Sequence, residues 1–459
     1  MKTEKFNMSL IEAFCIILFL ICCLGVCIIG WQIPPHVPIL LVFFLLCFFG
    51  HFKGLSWDDV FDGIVKGISP GIIPLIIFLL IGVLVSSLIA AGTIPAIVVY
   101  GCDMLTASHF LVLSFLLTVL VGITVGSSFT TISTVGIVIM TIGGVLGLNG
   151  ALVAGAIVSG AFLANNLSPL SDTANLASAI GDIDLVRHLR NVFKSALPAG
   201  VITMIIYAVM DMQGHVAKSA SLMNMAEALQ HAFVISPVTL LPVIIILICS
   251  LRRMPAIPTL LLGIISSLVV YGVYNPTSEK LFLIPGFIMN GYVSNVGIPS
   301  VDKLLSRGGV LSMMPAASMI ILALSMGGLL VKLQVISTLV NCLSRVVNSA
   351  FRLVLSTALG SMLINVAVGE QYLSIVLPGE TFKPLYRKMG LPMSTLTRTL
   401  ADGGSAFTAL VPWGVSGTFI VGTLGLHDAS YVLYSFYPIL APVMTVIIGS
   451  LTGRLGKEI

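Results

Sequence analysis

Asp172 stands in the run Asn165-Asn166-Leu167-Ser168-Pro169-Leu170-Ser171-Asp172-Thr173-Ala174-Asn175, inside a chain whose mean hydropathy is +1.11. A carboxylate at bilayer depth costs on the order of 2.5–3.5 kcal/mol even on the lenient insertion scale, so an acid in such a chain needs partners or a task. Hydroxyls of Ser168, Ser171 and Thr173 and the amides of Asn165 and Asn175 flank it, and Pro169 frees a backbone carbonyl beside it. Carboxylate, hydroxyl, amide and carbonyl oxygens are what a hard cation such as sodium takes as ligands. Out of water, the same carboxylate also favours its protonated form. A group that holds a cation or a proton, but not both, is the least machinery an exchange reaction needs. Asp172 is therefore the candidate metal ligand, with sodium as the ion. Its competing role is to cap the N-terminus of a half-helix.

A second region has the same character. It opens on Asn365 and Glu370 and returns through Asp402, Gly403-Gly404-Ser405, Thr408 and Pro412 to Ser416. The first region opens on Gly126, Ser127, Thr130 and Thr131 and returns through Pro169 to Asp172. In each, a glycine-punctuated polar piece is followed about 45 residues later by a proline and hydroxyls. Glu370 also reads as a loop-end acid in contact with water, and Asp402 as a helix N-cap. Polar, irregular backbone at membrane depth survives only where protein buries it or where it lines a cavity. A matched pair of interrupted segments, one per half, points to a transporter built from inverted repeats, with its site between them.

The elements that must position these residues follow from composition. The 459 residues are 57% hydrophobic and 9% charged, against roughly 25% charged in soluble chains. At about 20 residues per crossing the length allows about 10–13 membrane segments and no sizeable soluble domain. The predicted fold is all-α and polytopic, with broken or re-entrant helices at the membrane midplane. Its halves are 1–230, carrying the motif 126–175, and 231–459, carrying the motif 365–418. Basic residues gather at Lys53–Lys66, Arg187–Lys194, Arg252-Arg253, Lys383–Lys388 and Arg454–Lys457, which the positive-inside rule places in the cytoplasm together with both termini. The expected location is the cell membrane. A net charge of +4 spread over loops excludes nucleic acid as a partner. The eight cysteines lie mostly in apolar runs without metal-ligand spacing. No phosphate-binding loop is present. Gly414-Val415-Ser416-Gly417 matches an intramembrane serine-protease pattern, but only His427 follows it, so no enzyme is expected.

Four stretches together resemble the NhaC family of sodium/proton antiporters, within a wider group that includes sodium-coupled malate/lactate exchangers. They are Gly126–Gly136, Val153–Ala161 leading into Ser168–Asn175, Gln371–Gly379 and Arg398–Pro412. The resemblance covers about Ile81 to Pro438 and implies sodium/proton antiport. It also implies a first-half site of Asp172, Ser168, Ser171, Thr173 and Asn175, with Glu370 and Asp402 in the second half. The chain departs from the family pattern where Asn165-Asn166 replace an Asp-Lys pair, where Glu370 replaces Asp, and where Gly414 replaces Asn. These departures leave room for sodium-coupled transport of a small organic anion or an amino acid. No cofactor is expected beyond sodium and protons as transported or coupling ions. The expected partners are the lipid bilayer, those ions, a small organic acid or amino acid, and a second copy of the chain.

Overall fold

A computed structural model describes residues 8–455, apart from 25, 28–30, 32, 35, 105–108, 214–226, 253, 298–301, 303–304 and 346. Every regular element among the described residues is a helix. Leu120, Val201 and Ile265 are among many large apolar side chains that point outward. An exposed apolar surface of that extent requires lipid or a partner, and the protein is a multi-pass membrane protein. Most of the loop 211–230 lies outside the described residues.

Two long elements form a frame. Trp57–Ile68 leads into Ile72–Ala90, and both pack on Val310–Lys332. Gly67 and Gly328 let the helices cross almost backbone to backbone. A Cβ at Gly67 would stand 2.4 Å from Leu324 O and 2.7 Å from Gly328 Cα. Asp59 and Asp62 reach Lys332 at 3.0 and 3.1 Å beside this crossing.

Residues 110–213 and 350–455 form a duplication. The first hairpin enters on Phe110–Val125, turns at Gly126, and leaves through Ser128–Thr131, a π-helical turn Ile132–Gly136 and Ile137–Val145. The first broken helix follows: Gly150–Leu167, a non-helical link at 168–171, then Asp172–Ile180. Leu185–Gln213 closes the unit. The second hairpin is Ala350–Val368 and Gln371–Lys388, turning at Gly369. The second broken helix runs through Met393–Leu400, a π-helical turn Ala401–Ala406 and a 3-10 turn Phe407–Leu410. It links at 411–414 to Val415–Leu424, the two parts bent by 46°. Phe436–Leu455 closes this unit.

The landmarks recur at a fixed offset of 243 positions (369 less 126). Gly126 and Gly369 are left-handed at φ 77° and 73°. The next residues, Ser127 and Glu370, cap the outgoing arms through their side chains. Pro169 and Pro412 stand at the same offset, as do Asp182 (φ 52°) and Gly425 (φ 67°). The units are inverted. The amides of Leu111 and Val112, at the mouth of the first hairpin, donate to Asp211 near the end of Leu185–Gln213. Arg387, at the mouth of the second hairpin, meets Asp182 just before that helix begins. The helix between them has 29 residues, about 43 Å at 1.5 Å each, so the hairpins enter from opposite faces.

Among the described residues, five helices are long and apolar enough to cross a membrane, or seven if each bent pair counts once. Six further apolar helices have 10–17 residues.

Candidate functional site

The first broken helix meets the π-helical turn of the second around its own link, and each link is tied to its own hairpin tip. Ser168 Oγ donates to Ile123 O at 2.7 Å, and Trp413 Nε1 donates to Val366 O at 2.8 Å. Ile123 and Val366 are equivalent positions in the duplication. The tips press against the links so closely that glycine is required. A Cβ on Gly126 would lie 2.4 Å from Leu170 Cβ, and one on Gly369 would lie 2.7 Å from Gly414 Cα. An equivalent hydrogen bond then spans each link. Asn165 Nδ2 donates to Thr173 Oγ1 at 3.0 Å, and Thr408 Oγ1 donates to Ser416 Oγ at 3.3 Å.

Between these bonds the two units join in a buried cluster of neutral oxygens and one amide. Asn165 Nδ2 also donates to Ser405 Oγ at 3.2 Å. Thr173 Oγ1 and Ser405 Oγ are 3.1 Å apart, and Ser171 Oγ and Thr173 Oγ1 are 3.0 Å apart. Asn165, Ser171, Thr173, Ser405, Thr408 and Ser416 are all buried.

Asp402 is the fully buried acid beside this cluster. It lies inside the π-helical turn, not at an N-cap as expected from sequence, because Met393–Leu400 runs straight into it. Its Oδ2 accepts from Ser195 Oγ at 2.6 Å and its Oδ1 from Asn166 Nδ2 at 3.3 Å. Asn166 Nδ2 also reaches Tyr437 Oη at 3.2 Å. One turn before Asp402, the buried Arg398 donates to Asn191 Oδ1 and Thr445 Oγ1, each at 2.9 Å. Among the described residues Arg398 forms no ion pair within 4 Å. Asn365 Nδ2 donates to Gly404 O at 2.7 Å and to Gly403 O at 3.3 Å. The side-chain oxygens Asn166 Oδ1, Asn365 Oδ1 and Gln371 Oε1 are buried without a hydrogen-bond partner. Leaving such a group unsatisfied costs about 1–3 kcal/mol.

The other expected residues stand differently. Asp172 is exposed. Its Oδ1 accepts from Thr173 N at 3.0 Å, and its Oδ2 accepts a short hydrogen bond from Tyr372 Oη. Ser171, not Asp172, caps Asp172–Ile180. The carbonyl of Pro169 is occupied, accepting from Asn175 Nδ2 at 3.3 Å. Ser168 and Asn175 thus serve the backbone rather than Asp172. Glu370 is buried rather than wet, and accepts from Leu373 N at 2.9 Å. Ser127 and Thr131 bond within the first hairpin, and Thr130 O takes the hydroxyls of Ser133 and Thr134. Ser195, Asn191 and Tyr437 were missed from sequence. Asn191 and Ser195 are one turn apart on one helix, which is a readable signal, but Arg187–Lys194 hid it by reading as a cytoplasmic charge cluster.

A family model described as the Na+/H+ antiporter family matches residues 160–453, which takes in both links and the whole of the second broken helix. The chain belongs to the Na+/H+ antiporter family. It is 35% identical over 93% of its length to the Na(+)/H(+) antiporter NhaC of Alkalihalophilus pseudofirmus, covering 92% of that protein. It is 33% identical to the arginine/ornithine antiporter ArcD of Halobacterium salinarum, over 86% of this chain and 82% of that one. It is 29% identical to the malate-2H(+)/Na(+)-lactate antiporter of Bacillus subtilis, over 79% and 77%. The resemblance carried by Ser168–Asn175 and its companion stretches thus identifies the family correctly. In this family member the Asn165-Asn166 pair is the junction of the two units. One amide reaches the hydroxyl cluster and the other reaches Asp402.

Proposed function

We propose that this antiporter exchanges sodium for protons across the cell membrane, with Asp402 as the group for which the two ions compete. The observation that carries this reading is a fully buried carboxylate held by neutral donors, Ser195 and Asn166 among them. Among the described residues, Asn166 Oδ1 and Asn365 Oδ1 at the same junction are acceptors without donors. A cation would supply what these oxygens lack, and a proton on Asp402 would remove the charge that attracts it. The neighbouring Arg398 offsets the carboxylate without pairing to it. Ser405, Thr408, Ser416, Thr173 and Asn165 supply further oxygens on the two broken helices. Asp172 and Glu370, which interact electrostatically, flank the junction and serve as acids on the approach to it. Sodium and protons are cargo in this scheme. Both termini are cytoplasmic, and the halves 1–230 and 231–459 each contribute one broken helix.

The test is a proteoliposome carrying a pH-sensitive dye. An imposed sodium gradient should move protons without any organic solute. Well-sealed vesicles with active, correctly folded protein and no sodium-dependent pH change would sink the proposal.

One observation favours a second reading, sodium-coupled movement of a small organic anion. A cavity of about 1140 Å³ is lined by Lys280, His231, Tyr271, Tyr274 and Tyr292 and, among the described residues, by no acid. It is far larger than sodium needs, and its charge suits a carboxylate better than a cationic amino acid such as arginine. Stimulation of sodium flux by malate or lactate would select this reading.

A further inference from the structure

We propose that the antiporter carries two gate latches at equivalent places in its inverted units: Asp182 with Lys383 and Arg387 on one face, and Arg307 with Thr141 and the end of Val415–Leu424 on the other.

On the first face, the helix that leaves the first link, Asp172–Ile180, packs on the outgoing arm of the second hairpin, Gln371–Lys388. Just past that helix, Asp182 accepts from Lys383 Nζ at 2.8 Å and from Arg387 Nη2 at 2.7 Å. Asp182 is left-handed at φ 52°, unusual for a residue with a side chain, and the two cations hold its carboxyl below the usual carboxylate range. The contact joins one unit's half-helix to the other unit's hairpin. Its other end is the Asp172–Tyr372 contact at the link.

On the opposite face the same pairing recurs with the units exchanged. Val415–Leu424 packs on the π-helical turn and outgoing arm of the first hairpin. The position equivalent to Asp182 is Gly425, also left-handed. The positions equivalent to Lys383 and Arg387 are 140 and 144, which bracket Thr141. No ion pair could form between a glycine and a threonine, and Arg307 takes that place from outside both units. Its Nη2 donates to Thr141 Oγ1 at 3.0 Å, and its Nη1 lies 3.0 Å from where a Cβ on Gly425 would stand. A guanidinium also suits a helix C-terminus, where the backbone dipole is negative. The opposite placement follows from Leu185–Gln213. Asp182 precedes its first turn, while Tyr207 near its far end donates to Tyr434 O in the segment after Gly425.

Exchange by alternating access needs one approach closed while the other opens, so this inference rests on the exchange reading. Contacts between one unit's half-helix and the other's hairpin are the ones that must break for a link to open. On the first face the latch is made of ion pairs to an exposed carboxylate, which are individually weak, and on the second it is a single side-chain hydrogen bond; both suit a contact broken in every cycle.

The experiment uses the full chain in proteoliposomes, measuring half-saturating sodium from each face for Asp182→Asn and Arg307→Gln. Releasing a latch shifts the population toward the conformer open on that face. Asp182→Asn should lower half-saturating sodium about two- to fivefold on its own face and raise it on the other, and Arg307→Gln should do the reverse. In nanodiscs, deuterium uptake should rise at 172–181 in the first variant and at 415–424 in the second. Shifts of the same sign on both faces, or none, with uptake unchanged at both half-helices, would overturn the latches. If the unmodified protein shows no sodium-driven exchange, the exchange reading has failed, and the deuterium measurement alone decides whether these contacts hold the half-helices.

Discussion

Asp402 and Asp172 are both carboxylates among hydroxyls, yet their surroundings are opposite. Asp402 is fully buried among neutral donors that include Ser195 and Asn166; Asp172 is exposed and bonded to Tyr372. Hydrogen bonds to a charged group contribute about 1.5–3 kcal/mol, so losing a charge that binds the transported ion should cost tenfold or more. Asp402→Asn keeps the side chain's shape and is expected to lower sodium-dependent proton movement at least about tenfold. Asp172→Asn should cost clearly less in the same vesicles, since water already reaches that carboxylate. A larger loss in Asp172→Asn than in Asp402→Asn would reverse the assignment. The residue types around Asp172 were legible because they are contiguous in sequence. The buried network around Asp402 was not, because Asn166, Ser195 and Tyr437 come from three other segments.

At the scale of elements, the hairpin tips fix the links. Gly126 and Gly369 combine a positive φ with a neighbour inside contact distance, whereas Gly390 has φ 66° and open space around it. A side chain in the left-handed region costs about 1–2 kcal/mol. Gly390→Ala should lose only that, read as a small drop in the thermal midpoint. Gly126→Ala and Gly369→Ala must also displace Leu170 and Gly414, and should lose clearly more and impair exchange. Equal drops in all three would show that tip-to-link contact is unimportant. The tips were legible as glycine followed by polar residues. Their inversion was not, because it is a relation between chain directions in space, and no local pattern encodes it.

For the whole molecule, a cation held between the two units should stabilise them jointly. A ligand at ten times its dissociation constant adds about 1.4 kcal/mol to the state that binds it. The thermal midpoint should therefore rise in sodium chloride relative to choline chloride at equal ionic strength, and Asp402→Asn should remove the difference. A midpoint indifferent to sodium in the unmodified protein would count against a site at this junction. Fold class and family were legible from composition and from Ser168–Asn175 with its companion stretches. The pairing of Phe110–Val125 with Ile137–Val145 as two arms of one hairpin was not, since each is apolar enough to read as an independent segment.

The π-helical turn Ala401–Ala406 has no partner in the other unit, where Gly150–Leu167 passes through the equivalent positions as uninterrupted α-helix. That turn works as a phase shifter. Each residue of an α-helix advances the chain by about 100°. Removing Gly403 or Gly404 to regularise the helix would swing Ser405 and Thr408 by about that angle relative to Arg398. Ser405 would leave Asn165 and Thr173, and Thr408 would leave Ser416. The two units would keep their cores and lose their shared seam. A shorter, more regular second helix is therefore incompatible with the junction, although nothing in its hydrophobic packing forbids it.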